Sequence, residues 1–76
     1  MAEPTYKIIR LVGVSEESIA DAVRQGVARA AETLEGLDWF EVAEIRGTIK
    51  NGKVDCIQVV MNVGFQVMRP EDLMMG

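Results

Sequence analysis

Histidine is missing from this 76-residue chain, and cysteine occurs once, at Cys56. The first absence removes every Ser-His-Asp and Cys-His nucleophilic set. The second rules out an internal disulfide and leaves Cys56 as a small filler without chemistry. The glycine-rich fingerprints that cradle phosphates in nucleotide-binding folds are missing too. Five methionines and one cysteine without any histidine do not make a metal site. Glu41 and Glu44 are three apart on an extended segment, hence on opposite faces unless a bulge intervenes, and do not make a carboxylate pair. Nothing here reads as an enzyme.

Positive charge is sparse and forms no run. Asp and Glu outnumber Lys and Arg by 12 to 8, for a net charge of −4, so nucleic acid and anionic membrane surfaces are disfavoured as partners. No apolar stretch approaches the ~18 residues that cross a bilayer. The amino-terminal MAEPTYKII lacks the charged segment and long apolar run of an export signal. With an unpaired cysteine, the expected compartment is the cytoplasm.

What is present is ordinary for a globular protein: 49% of the residues are apolar. A chain this short, without disulfide or metal staples, needs a very good core or a partner copy, which points to oligomerisation. One domain spans 1–76, with a core over 5–68. The Met-rich tail over 69–76 has no period and reads as a flexible terminus.

Thr5 to Val14, TYKIIRLVGV, is rich in β-branched residues and reads as a strand. Ser15 then offers an N-cap, followed by Glu16 and Glu17 in the first helical turn. Ile19, Val23, Val27, Ala30, Leu34 and Leu37 recur at spacings of four and three, one apolar stripe on a helix that Gly36 stops. A second strand runs from about Asp38 to Lys50, and a third from Lys53 to about Met68, joined by Asn51-Gly52, a strong hairpin signal. The third strand alternates cleanly, with Ile57, Val59, Met61, Val63, Phe65 and Val67 on one face. A helix of about twenty residues is ~30 Å long, and a ten-residue strand spans ~33 Å. The helix therefore returns the chain so that the hairpin's third strand lies in the middle. The expected fold is α+β: β-α-β-β, a three-stranded antiparallel sheet of order 1-3-2 with one long helix packed on one face.

Trp39 and Phe40 are neighbours on a strand and must point to opposite faces. A tight Asn51-Gly52 turn makes Lys50 face Lys53. Counted outward, Phe40 then faces Val63 and Val42 faces Met61, which places Phe40 under the helix. Trp39 faces Gly64 on the other side, with Gln58, Asn62 and Gln66. Strict alternation would also bring Glu44 and Arg46 under the helix, which is costly without partners. A β-bulge near Ala43 or Glu44 repairs this and leaves the face of Arg46 open. The outer sheet face is then a solvated surface with one stray tryptophan, a subunit interface, or a platform on which a planar heteroaromatic ring stacks.

These segments, TYKIIRLVGVS-EES, LDWFEVAEIRGTI and CIQVVMNVGF, in one register from about residue 5 to 67, closely resemble the dodecin family. The resemblance implies a hollow homododecamer that binds flavins, FMN or riboflavin, for storage, buffering and photoprotection, with no catalytic cycle. It implies that flavin pairs stack between symmetry-related copies of Trp39. By the same resemblance Gln58 meets the pyrimidine edge of the ring, Arg46 meets the ligand phosphate, and Asp38 makes further polar contacts. Gln66 departs from the family, because some bacterial members carry arginine there, and this weakens the hold on FMN relative to riboflavin. Some members are thought to bind coenzyme A, for which no motif speaks here. The alternative reading is an interaction module whose outer sheet face only drives assembly.

Overall fold

The computed structural model describes residues 3–67. Strand β1 (Tyr6–Ser15) is followed by helix α1 (Ile19–Ala31), strand β2 (Leu37–Lys50) and strand β3 (Lys53–Gln66). The sheet order is β1-β3-β2, and both pairings are antiparallel. Asn51 and Gly52 have φ of 53° and 76°, the left-handed pair that a two-residue hairpin turn demands. The tail expected over 69–76 lies outside the described residues.

The helix is 13 residues long, shorter than its apolar stripe suggests. Ser15 is not its cap. It closes β1, where its hydroxyl accepts from the Glu17 and Ser18 amides at 2.9 and 3.3 Å. Ser18 caps instead, accepting from the Asp21 amide at 3.0 Å. Gly36 does have a positive φ of 77°, but it turns the chain into β2 rather than ending the helix. Its carbonyl accepts from the Gln66 amide at 3.0 Å. Leu37, the last position of the stripe, opens β2 and still packs on the core.

That core is built from Ala22 of the helix and Val59, Met61 and Val63 of β3, ringed by Ile9, Leu11, Val23, Val27, Leu37 and Ile57. Glycine sets how closely the layers approach. A Cβ on Gly13 would overlap the backbone carbonyl of Ala22, and one on Gly26 would lie 2.9 Å from the Met61 methyl and 3.1 Å from Leu11 Cδ1. The helix thus rests directly on the β1 backbone.

The helix packs over β1 and β3, and β2 gains little cover from it. This corrects the expected position of Phe40. The ring does lie opposite Val63 on the helix side of the sheet, but it is 51% exposed. It borders a shallow cleft beside Ala20, Val23 and Arg24 instead of lying beneath the helix. Val42, Ile45 and Ile49 continue the same uncovered row.

The register of β2 on β3 contains the expected bulge, at Ala43, between the pairs Val42–Met61 and Glu44–Val60. A second irregularity, between Thr48–Cys56 and Ile49–Val54, adds Asp55 to the opposite strand and cancels the first. Between the two, Glu44, Arg46 and Thr48 face away from the helix, and Ile45 faces toward it.

Candidate functional site

On β3 the residues facing away from the helix are Cys56, Gln58, Val60, Asn62, Gly64 and Gln66. Across from them on β2 stand Thr48, Arg46, Glu44, Glu41 and Trp39. On β1 the partners are Val14, Val12, Arg10, Ile8 and Tyr6. Among the described residues, this outer face carries no covering layer. It joins a polar strip along β2 to an apolar strip of Ile8, Val12 and Val14 on β1, all exposed.

Trp39 occupies one end. A Cβ at Gly64 would sit inside the indole ring, against Cε2, Cζ2 and Nε1. The missing side chain therefore lets the indole lie across the central strand instead of standing off it. The residue remains 41% exposed, with a flat aromatic surface turned outward. Gly64 and Trp39 work as a pair: one supplies the seat and the other the ring.

Asp38 lies next to Trp39 at a further register shift, between the pairs Leu37–Phe65 and Trp39–Gly64. The phenol of Tyr6, from the far edge strand, lies near the Asp38 carboxylate. Hydrogen bonding toward that carboxylate, with partial desolvation and its negative charge, raises the Tyr6 pKa above its ordinary value of 10.0. Tyr6 pairs with Gln66 in the sheet. Its ring thus crosses β3 one step along from the indole. Sequence reasoning passed over Tyr6; its signal is the even-numbered alternation of the first strand, which puts Tyr6, Ile8, Arg10, Val12 and Val14 on one face.

The polar end is built around Gln58 and Arg46, opposite each other in the ladder. Arg46 Nε donates to Gln58 Oε1 at 3.1 Å. The bond uses the amide oxygen of Gln58 and leaves its NH2 group free to donate elsewhere. Glu44 Oε1 lies 3.8 Å from Arg46 NH1 and 3.9 Å from Arg10 NH2. Asn62 donates to Glu41 Oε1 at 3.3 Å between the two ends.

Four residues singled out in the sequence therefore share one face but not one spot. Arg46 and Gln58 touch each other, and Trp39 and Asp38 are adjacent in the chain. Six residue steps along β3 lead from Gln58 to Gly64, which at 3.3–3.4 Å per step is about 20 Å. Among the described residues no three His, Cys, Asp or Glu side chains come together as they would around a metal ion. Nor, among the described residues, is any helix long and apolar enough to cross a membrane.

Comparison with known proteins places this face in context. The dodecin family model matches residues 5–68. Dodecin of Thermus thermophilus is 53% identical over 62 residues, covering 82% of this chain and 90% of that one. The solved structure of the dodecin from Streptomyces davaonensis superposes with a TM-score of 0.86 at 43% identity, covering 90% of this chain and all of that one. A more distant likeness, with a TM-score of 0.74 at 28% identity, covers 87% of this chain and 93% of the calcium dodecin of Mycobacterium tuberculosis. That protein is a calcium-chelating antigen with its own calcium-binding site.

Proposed function

The chain belongs to the dodecin family, a family of small binding proteins that assemble as oligomers, and we propose that its outer sheet face binds flavin. The observation that carries this reading is the half-exposed indole of Trp39 lying across Gly64. A planar tricyclic ring stacks on such a surface, and the free amide hydrogens of Gln58 suit a carbonyl on its polar edge. Arg46 suits a phosphate at the end of the side chain, as in FMN, through charge-assisted hydrogen bonds. Asp38 is suited to a hydroxyl or imide donor near the ring.

The ~20 Å between the Trp39 and Gln58 positions bears on which copies contribute to one site. One ring cannot stack on the indole and meet the glutamine of the same protomer. The binding site is therefore composite: Trp39 comes from one copy and Gln58 from a copy facing it across a twofold axis. A homododecamer places such pairs of outer faces together, with two flavins stacked between two indoles. Its role is flavin storage and buffering. Electron transfer from the stacked indole to the excited flavin quenches emission and suppresses photochemistry, which gives photoprotection.

Titration of the purified protein into riboflavin, FMN, FAD and lumichrome tests this. Flavin emission should be quenched with saturable stoichiometry. Trp39→Ala should weaken binding by at least about tenfold, the order expected when an aromatic anchor in a shared pocket is lost. An assembly that leaves flavin emission unchanged would instead be a module whose outer face serves assembly alone.

A further inference from the structure

Arg10 carries no role so far, yet its guanidinium meets that of Arg46 at a single oxygen. Glu44 Oε1 lies 3.9 Å from Arg10 NH2 and 3.8 Å from Arg46 NH1. The two nitrogens are therefore no further apart than the sum of those distances. They arrive from opposite edge strands, Arg10 opposite Asn62 and Arg46 opposite Gln58, and converge over Val60 on β3. The side chains of Arg10 and Arg46 are 60% and 55% exposed, so solvent reaches the point of convergence.

The trio does little for the fold. Both separations are too long for hydrogen bonds, and exposed ion pairs of this kind contribute about 0–1 kcal/mol. It does carry one surplus positive charge, in a chain whose net charge is −4. We propose that Arg10 and Arg46 form a two-arginine anion site for the terminal phosphate of a phosphorylated ligand, with Glu44 as an internal placeholder that the phosphate displaces. A phosphate has several oxygens pointing in different directions and can accept from both guanidiniums at once, which a single carboxylate oxygen at nearly 4 Å does not. Arg10 thereby supplies the second cation that Gln66 does not provide, and Glu44 sets how strongly the protein prefers a phosphorylated ligand over its unphosphorylated form. The inference rests on the flavin reading for the identity of the ligand, though the anion site stands on its own geometry.

The test is the ratio of FMN to riboflavin affinity in the full-length wild-type protein and three variants. Arg10→Ala should lower the ratio about three- to tenfold, and Arg10→Lys should recover part of it, because a point charge replaces a fork. Glu44→Gln should raise the ratio by a similar factor by freeing both guanidiniums. These changes should shrink in high salt, as contacts between exposed charges do. An unchanged ratio in Arg10→Ala, or a fall in Glu44→Gln, overturns the proposal. Riboflavin affinity alone reports on the stacking site, so its absence would count against the flavin reading and not against the anion pair. In that event inorganic phosphate, followed by phosphorus NMR line broadening, takes the place of FMN. Broadening by wild type that Arg10→Ala removes supports the pair, and equal broadening by both overturns it.

Discussion

Along β1 the helix side of the sheet is closed. Ile9 and Leu11 pack against Met61 and Val63, and Gly13 lets the helix backbone settle onto the strand. Along β2 the same side carries Phe40, Val42, Ile45 and Ile49, each at least 40% exposed. Both edges flank the same central strand and have similar apolar content, so composition does not explain the contrast. The helix does. At 13 residues it is about 20 Å long, and its close seat on Gly13 draws it over β1 and away from the far edge. One half of the sheet thus makes a core within the protomer. The other half presents an apolar strip of the kind that marks a contact with another copy. A 76-residue chain without disulfides has reason to complete its apolar burial in this way, and the dodecin family does assemble as oligomers.

The largest test of this contrast strikes the closed half. Gly13→Val places a branched side chain where the Ala22 carbonyl already lies, and backbone cannot yield as a flexible side chain does. The expected cost is about 3 kcal/mol or more, at the upper end for overpacking and a large part of the stability of a small domain. Circular dichroism should show the helix lost or its melting strongly lowered. A native spectrum and melting curve would mean that the helix does not rest on β1 as described.

The open half should answer differently. Ile45→Asp puts a charge on a strip that is solvent-exposed in the single chain, so the protomer's own fold should survive. In the assembly the same charge would be buried without a partner, which costs several kcal/mol. Light scattering should therefore show a smaller species with an intact helical spectrum. If the assembly kept its mass, that strip would not lie between copies. If the spectrum collapsed as well, the two halves would not be separable.

The strand order, the hairpin and the outward indole were legible in the sequence, partly through a cancellation. Counting from the Asn51-Gly52 turn gives the right partners at Trp39 and Phe40 only because the extra residues Ala43 on β2 and Asp55 on β3 offset each other. The first bulge leaves a trace, since the apolar phase switches between Val42 and Ile45. The second leaves none, because Ile49 and Val54 at the hairpin end are exposed and no core enforces their phase. The length of the helix was not legible either. Ser15 and Ser18 are both fit to cap, and Leu34 and Leu37 extend the stripe from outside the helix, Leu37 by packing on the core. On the site, the face of Trp39 and Gln58 followed from alternation. The convergence of Arg10 with Arg46 did not, since it joins two strands that are not neighbours in the sheet.

The smallest effect belongs to the link that turns β1 into the helix. The Ser15 hydroxyl donates to Asp21 Oδ2 at 2.6 Å, and the Gln25 amide donates to the same oxygen at 3.3 Å. These bonds, the first more than the second, with the nearby Arg24 charge, hold the Asp21 pKa below its ordinary value of 3.8. A carboxyl with a depressed folded-state pKa contributes stability that is complete above the unfolded value and disappears as pH falls through the folded one. Wild type should therefore lose melting temperature below about pH 4 more steeply than Asp21→Asn, which keeps an acceptor for Ser15 but does not titrate. The difference should be much smaller than either substitution above, because the carboxylate is exposed to solvent. Its place matters more than its size. If the pH slope appears in the melting of the helix while the mass of the assembly stays constant, the joint between β1 and α1 is a property of the closed half alone. Parallel slopes in wild type and variant would show that this link does not tie the helix to the strand.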